Sequence, residues 1–423
     1  MLVFKFGGSV LKDVAGLQAM AGTVRNTDGP VIVVVSAFGK TTDALEEVAR
    51  LTWKKDPTAF NRLGKIRNDH LELVRQLIPD GSHAVYAGIE GIFGYLEKII
   101  KDYPADREAF TDEVASCGEL VSSVIVHHVL ANLGIRNHLL DVRDLLVTDN
   151  LFRAARVNWP ETSAKIQERC MPLFEKQRML VTQGYIGRSQ EGNTTTLGRE
   201  GSDFTAAIFG YVLNAGMVVC WKDVPGVMNA DPKEWPGAVL LPKISYQEAA
   251  ELTWYGAKVI HPRTIKPLHN RQIPLIVRGL HTPENEGTLI HLLPELENPV
   301  PVYVRKPHQV LLSVVPRDYS FTNDHLQKVF RFFSRMRMRI NLVQNSALSV
   351  SFCIDDPGER LAEILYQIQH EYEVYHNRPV ELVTIRHYRA GDTSAYPLGG
   401  KILLEQRTRL TVQYVVEKQR NDG

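Results

Sequence analysis

Four short runs of mostly apolar residues constrain this chain more than any other feature: Leu2–Phe6, Val31–Ser36, Met179–Thr182 and Met217–Trp221. They are rich in β-branched residues and bounded by Gly, Pro or Asn, which marks them as buried strands. Between them lie stretches whose apolar residues recur three or four apart, such as Leu63, Ile66, Leu71, Val74 and Leu77, or Cys117, Val121, Val124 and Ile125. Strand–helix alternation with continuously apolar strands predicts an α/β fold, a mainly parallel sheet covered by helices on both faces. Ligands of such sheets bind beyond the carboxyl ends of the strands. Residues 52–110 read as helical throughout and are expected as an insertion that caps the sheet.

Near residue 300 the character changes. His281–Gly287 is turn-rich, and Pro294, Pro299, Pro301 and Pro307 follow closely, a linker composition. The reading places one domain over 1–298 and a second region over 299–423. The second runs strand (Val310–Val315), helix (Thr322–Met336), strand (Ile340–Gln344), strand (Ala347–Ile354), helix (Gly358–Tyr372), strand (Val380–Arg386). That is a βαββαβ α+β unit spanning about 308–390, and the strands Lys401–Glu405 and Arg409–Val416 remain after it.

Composition excludes several classes. A net charge of +1 across 423 residues gives no basic footprint for nucleic acid. Anionic ligands must then be held by local charges. Val31–Val35 is too short to span a bilayer, and Lys5 interrupts any leader-like apolar run. The four cysteines, Cys117, Cys170, Cys220 and Cys353, form no C-x-x-C pair, which argues against zinc and against a disulfide framework. Reduced thiols and a cytoplasmic location are expected.

Three segments carry chemistry. Lys5-Phe6-Gly7-Gly8-Ser9 joins the first strand to a helix, where two glycines let backbone approach a phosphate and amides favour anions; simple chain reversal explains the same residues. Ser36–Thr42 offers hydroxyls and amides at a strand end. It is no phosphate-binding P-loop, because the first glycine of that pattern would fall on Val34. Thr194–Asp203 (TTTLGREGSD) packs hydroxyls, glycines, a guanidinium and a carboxylate before an Ala-containing helix. Ser202 or Asp203 could cap that helix, or Arg199 could fork onto a substrate carboxylate.

These stretches, with Gly118-Glu119-Leu120, Trp221–Val227, Asp231-Pro232-Lys233 and Gly256–Pro262, occur in the order found in the aspartate kinase family of the amino-acid kinase fold, which the first 300 or so residues resemble. The Lys-x-Gly-Gly element is shared widely; the TTLGRxGSD, GEL and GAKVxHP blocks together are specific. The resemblance implies transfer of the ATP γ-phosphoryl group to the side-chain carboxylate of L-aspartate. Lys5 would stabilise that group, with Asp203 orienting it. Glu119 would hold the α-ammonium of aspartate and Arg199 a carboxylate. Ser36, Thr42, Thr195 and Ser202 match positions near aspartate. Gly7, Gly8, Asp223, Lys233 and Lys258 match positions around ATP. Mg²⁺ would ride on the nucleotide phosphates, so no protein metal ligand is assigned. Taken by itself, Glu119 reads as a solvated charge off the apolar stripe of its helix.

Three positions depart from the family pattern: Val10 where a hydroxyl is usual, Glu200 for a common Gly, and Lys222 for a common Thr, the last readable as a nucleotide contact or a surface lysine. The C-terminal region resembles an ACT regulatory domain, of which the family usually carries two. Here one unit is complete and a second is shortened. The resemblance implies a homodimer or higher oligomer and a feedback amino acid, lysine or threonine; a platform for dimerisation alone is the alternative. Two other functions compete: a kinase of the same fold acting on another acid such as N-acetylglutamate, and a non-catalytic amino-acid sensor.

Overall fold

The computed structural model describes residues 1–257, 260–282, 284–292, 299–317, 323–336, 338–389 and 398–418. The chain clusters into two compact units. One comprises Met1–Val227, Leu240–Ala250 and Val259–Pro294, and the other Met228–Val239, Glu251–Lys258 and Glu295–Gly423.

In the first unit the elements begin β1 (Leu2–Phe6), α1 (Val14–Arg25), β2 (Val31–Val35), α2 (Thr41–Trp53), α3 (Thr58–Leu77), α4 (Ala84–Lys101) and α5 (Arg107–Asn132). They continue with β3 (His138–Leu140), β4 (Val147–Thr148), α6 (Trp159–Phe174), β5 (Met179–Gln183), β6 (Ile186–Ser189), β7 (Thr194–Thr196), α7 (Gly201–Val212) and β8 (Met217–Lys222). Last come β9 (Lys243–Ser245), α8 (Tyr246–Tyr255, which runs into the second unit), α9 (Pro262–Arg271), β10 (Leu275–Gly279) and β11 (Thr288–His291). All four apolar runs form strands of one eight-stranded sheet, ordered β3-β5-β2-β1-β8-β10-β11-β9. Its pairs are parallel except β10–β11. Every residue of β2 is buried, as expected of a strand covered on both faces.

Alternation along the strands assigns the faces. Phe4, Phe6, Val33, Val35, Val181 and Val219 join one core with residues of α1 to α5. The intervening Val3, Ile32, Val34 and Val218 are fully buried as well, on the opposite face. There α7 packs so closely that a β-carbon on Gly210 would lie 2.7 Å from Cγ2 of Val218. Segment 52–110 holds the end of α2, all of α3 and α4, and the start of α5, and these helices share the first core. Although α5 is long and apolar enough to cross a membrane, it is a packed helix whose Val114, Cys117, Val121, Ile125 and Val129 are buried.

The second unit carries β12 (Val302–Pro316), α10 (Asn323–Arg335), β13 (Ile340–Asn345), β14 (Val350–Asp355), α11 (Leu361–Ile368), β15 (Tyr372–Arg386), β16 (Gly400–Arg407) and β17 (Thr411–Lys418). They make one six-stranded antiparallel sheet, ordered β13-β14-β12-β15-β17-β16. The last hairpin therefore extends the βαββαβ sheet. Val329 and Phe333 of α10 and Leu361 and Ile368 of α11 bury Val310, Leu312, Val314, Val350, Phe352 and Ile354. Under the other face, Lys306 Nζ lies 2.7 Å from both Asn341 Oδ1 and Asp355 Oδ1, and the Asn341 amide donates to Gln309 Oε1 at 2.6 Å.

The upstream stretch Met228–Val239 clusters with this unit for a local reason. The Tyr303 amide donates to the Asn229 carbonyl at 2.7 Å, Trp235 stacks on Tyr303, and Arg305 pairs with Glu234 at 3.1 Å. Phe333 is fully buried and meets the Phe352 ring at 5.1 Å between centroids. Phe333→Ala is expected to cost about 3–5 kcal/mol. A urea titration followed by circular dichroism measures it, and an unchanged midpoint would contradict this packing.

Candidate active site

Strand register builds the centre of the site. In the parallel pair of β1 and β8, Lys5 stands opposite Cys220. Alternation then turns Lys5 and Lys222 to the same face as Val218, the face covered by α7. The first turn of α7 carries Asp203, 1% exposed. Lys5 Nζ lies 2.7 Å from Asp203 Oδ1, and Lys222 Nζ lies 3.1 Å from Oδ2. Burial by itself would raise the Asp203 carboxyl, but the Lys222 and Lys5 charges outweigh it and hold the group down at about 2. Burial would lower Lys222, yet the Asp203 carboxylate raises it above its ordinary value. Lys222 is thus part of a buried Lys–Asp–Lys triad, and the surface-lysine reading is corrected.

Backbone proximity explains the glycines. A β-carbon on Gly8 would sit 2.1 Å from the Ala37 carbonyl oxygen, while the Gly39 amide donates to the Gly8 carbonyl at 2.8 Å. Only glycine lets the 7–9 and 36–39 loops close together. The first strand does not run straight into a helix. A 3₁₀ turn, Gly8–Val10, intervenes, and α1 starts at Val14, capped by Asp13. Val10 is 1% exposed, so it fills the core rather than the cleft, which accounts for the missing hydroxyl.

Along the otherwise apolar α5 runs a buried polar stripe: Asp112, Ser116, Glu119 and Ser123. Asp112 accepts from the Arg153 amide at 2.9 Å, the Thr196 amide at 2.8 Å and the Thr196 hydroxyl at 2.8 Å, tying the 153 turn to β7. Glu119 is 3% exposed, which corrects the reading of a solvated charge. Its Oε2 has no hydrogen-bond partner among the described residues. Burial pushes its carboxyl up to about 8, against the Ala37 amide and the Lys5 charge, which act to lower it.

An open cleft of about 550 Å³ collects Lys5, Gly8, Ser36, Thr42, Glu119, Arg199, Ser202, Asp203 and Lys222 on its walls. Arg199 is exposed and makes no ion pair with another described residue. It follows Gly198, whose φ of +76° aims the loop. The other expected residues lie elsewhere. Thr195 is fully buried, does not line the cleft, and its hydroxyl shares a 2.6 Å hydrogen bond with that of Thr148. Gly7 uses its amide on the Trp221 carbonyl at 3.1 Å and does not line the cleft. Asp223 is exposed just past β8. Lys233 is exposed in the second unit. Lys258 lies outside the described residues. No group of three or more His, Cys, Asp or Glu is placed to hold a metal ion among the described residues.

Sequence reasoning missed Arg153, Glu46 and Tyr185, which also line the cleft. Arg153 sits at a φ of +70°, with its guanidinium 2.5 Å from Glu46 Oε1. Nothing local in the sequence marks it. The spacing of Asp112 from Glu119, two helical turns apart on one face, is a signal that could have drawn Asp112 in.

The profile of the amino acid kinase family matches residues 1–279. The lysine-sensitive aspartokinase 3 of Escherichia coli is 30% identical over 364 residues, covering 85% of this chain and 79% of that protein. Aspartokinase 1, a chloroplastic protein of Arabidopsis thaliana, is 27% identical over 402 residues, covering 92% and 69%. The crystal structure of E. coli aspartokinase III in complex with aspartate and ADP (R-state) superposes with a TM-score of 0.86 at 26% identity, covering 98% of this chain and 96% of that one. Its complex with lysine and aspartate (T-state) gives 0.81 at 27% identity, with the same coverage.

The raised Glu119 carboxyl makes stability depend on pH. Its folded value of about 8 exceeds the ordinary 4.5, so its contribution is fully present below 4.5 and is lost as pH rises through about 8. Between about pH 6 and pH 9 the wild-type melting temperature should fall by a component that Glu119→Gln lacks. Calorimetry at both pH values reads it, and parallel pH profiles for the two proteins would refute the buried, unpaired carboxylate.

Proposed function

The chain belongs to the amino acid kinase family, among its aspartokinases, and on that footing we propose that it transfers the γ-phosphoryl group of ATP to the side-chain carboxylate of L-aspartate, giving 4-phospho-L-aspartate and ADP. The observation that carries this reading is the unpartnered Glu119 carboxylate oxygen, buried in the same cleft as Lys5, Arg199 and Asp203. An acceptor with a free ammonium gives that oxygen a charged donor, whereas an N-acylated acid offers only a neutral amide N–H.

The acceptor carboxylate has an ordinary pKa of about 3.9 and is ionised near neutrality, so no general base is needed. The difficulty is bringing one anion against another. Two unit charges ~4 Å apart at an effective dielectric of about 20 repel by about 4 kcal/mol. The chain meets this with fixed cations and amides, which act most strongly where water is excluded. Lys5 stabilises charge on the transferring group, and Asp203 fixes the direction of its ammonium. Arg199 forks onto an aspartate carboxylate, and Glu119 takes the α-ammonium. Ser36, Thr42 and Ser202 offer hydroxyls to the acceptor. Thr195 serves by packing β7 against Thr148. The ammonium-lined end of the cleft and the close-set 7–9 and 36–39 loops fit phosphates, with Asp223 assigned to the rest of the nucleotide. Magnesium, carried on the phosphates, would supply further neutralisation when bound.

The second unit is assigned to feedback and to self-association as a homodimer or larger oligomer. Lysine is the first effector to test, because the E. coli relative has been crystallised with it. All four cysteines are free and buried, which suits the proposed reducing cytoplasm.

A coupled ADP-release assay with aspartate, glutamate and N-acetylglutamate decides the acceptor: aspartate alone should drive turnover, and a preference for N-acetylglutamate would sink the proposal. In the same assay Lys5→Met should fold normally and lose most of kcat, by about 10²-fold or more; turnover near wild type would remove Lys5 from the chemistry. Arg199→Ala should raise KM for aspartate far more than KM for ATP. Equal effects on both would count against the carboxylate clamp.

A further inference from the structure

The triad holds more cation than its carboxylate can balance. Asp203 offers one oxygen to Lys5 at 2.7 Å and the other to Lys222 at 3.1 Å, so a single negative charge faces two ammoniums. Neither ammonium is sealed away. Both residues line the cleft, and their side chains keep 10% and 18% of their exposure against 2% for Asp203. The excess positive charge therefore faces the space where a ligand enters.

Glu200 belongs to the same arrangement. It precedes α7 with φ +56°, a conformation that favours glycine, and it lines the cleft. Its Oε2 is buried without a hydrogen-bond partner among the described residues. The Glu200 charge is felt at Lys222, where it adds to the effect of Asp203. An arriving polyanion meets a lysine already fixed in place by Asp203.

We propose that Lys222 is a second phosphate-binding cation, placing its ammonium on a phosphate oxygen of the nucleotide beside Lys5, with Asp203 setting the spacing between the two. The inference rests on the nucleotide half of the function proposed above and is independent of the acceptor. The competing role is purely structural, in which Lys222 only neutralises the buried Asp203 carboxylate.

Calorimetric titration of the full-length protein with adenosine, ADP and ATP separates the two roles without any acceptor present. Lys222→Gln removes the charge while leaving a donor for Asp203, and Lys222→Arg keeps the charge. The glutamine variant should bind ATP roughly 10-fold or more weakly, since a charge-assisted hydrogen bond is lost, and should bind adenosine as wild type does. Lys222→Arg should recover most of the ATP affinity. Equal weakening of ATP and adenosine in Lys222→Gln, or unchanged ATP affinity, overturns the inference in favour of the structural role. Should Lys222→Gln fail to fold, Lys222→Arg decides alone: a few-fold loss confined to ATP supports the contact, since guanidinium and ammonium place their donors differently, and adenosine and ATP weakened together, or both unchanged, overturn it. Wild-type protein that binds no ATP would remove the kinase reading itself, whereas turnover on an unexpected acceptor would leave the Lys222 result intact.

Discussion

A carboxylate buried between two ammoniums governs the first unit. Asp203 is nearly inaccessible, and an isolated ionised group in that position is strongly unfavourable. Lys5 and Lys222 make it tolerable, and the geometry they require fixes much else: β1 beside β8, α7 across their ends, and Gly8 where no side chain fits. Breaking an isolated buried pair by removing one partner typically costs about 3–5 kcal/mol; here the loss of one lysine leaves the other ammonium still facing Asp203. The triad therefore limits which packings of β1, β8 and α7 the chain tolerates.

Stability and chemistry pull in opposite directions at Glu119. Its carboxyl is raised toward 8 by burial, which the Ala37 amide and the Lys5 charge do not offset, and its Oε2 has no hydrogen-bond partner among the described residues. An arrangement that cheaply satisfied this group would leave nothing for a ligand ammonium to do. The same logic applies to Arg199, left exposed on its glycine-aimed loop while Arg153, its neighbour in the cleft, is paired with Glu46. One guanidinium is committed to structure and the other is available. The distinction rests on partners, since both residue types are identical.

Much of the fold was legible in the sequence. The strand runs, the helical period of the 52–110 segment and the βαββαβ order after residue 300 are local patterns, fixed by side chains that are near neighbours along the chain. The glycine-rich and TTLGRxGSD segments were legible for a similar reason, because they concentrate unusual residue types over a few positions. The reading failed where a residue's role depends on a distant partner. The periodicity of α5 by itself reads Glu119 as a solvated charge, because an apolar stripe does not show that the middle of the helix is also buried on its polar side; the resemblance, by contrast, puts it in the site. The motif sets Thr195 among the substrate hydroxyls, whereas packing of β7 pairs its hydroxyl with Thr148.

Tertiary structure alone decided which charges meet. Lys5 and Lys222 are far apart in sequence and become neighbours only through the parallel register of β1 and β8. Arg153 and Asp112 join the site because a turn before α6 docks against α5. Local sequence fixes conformation through sterics and periodicity, which act over a few residues. Ion pairing and burial are set by register and packing between segments that the linear order keeps apart. The sequence thus determined which elements form and in what order; only their assembly determined which of its many charged side chains share a cleft.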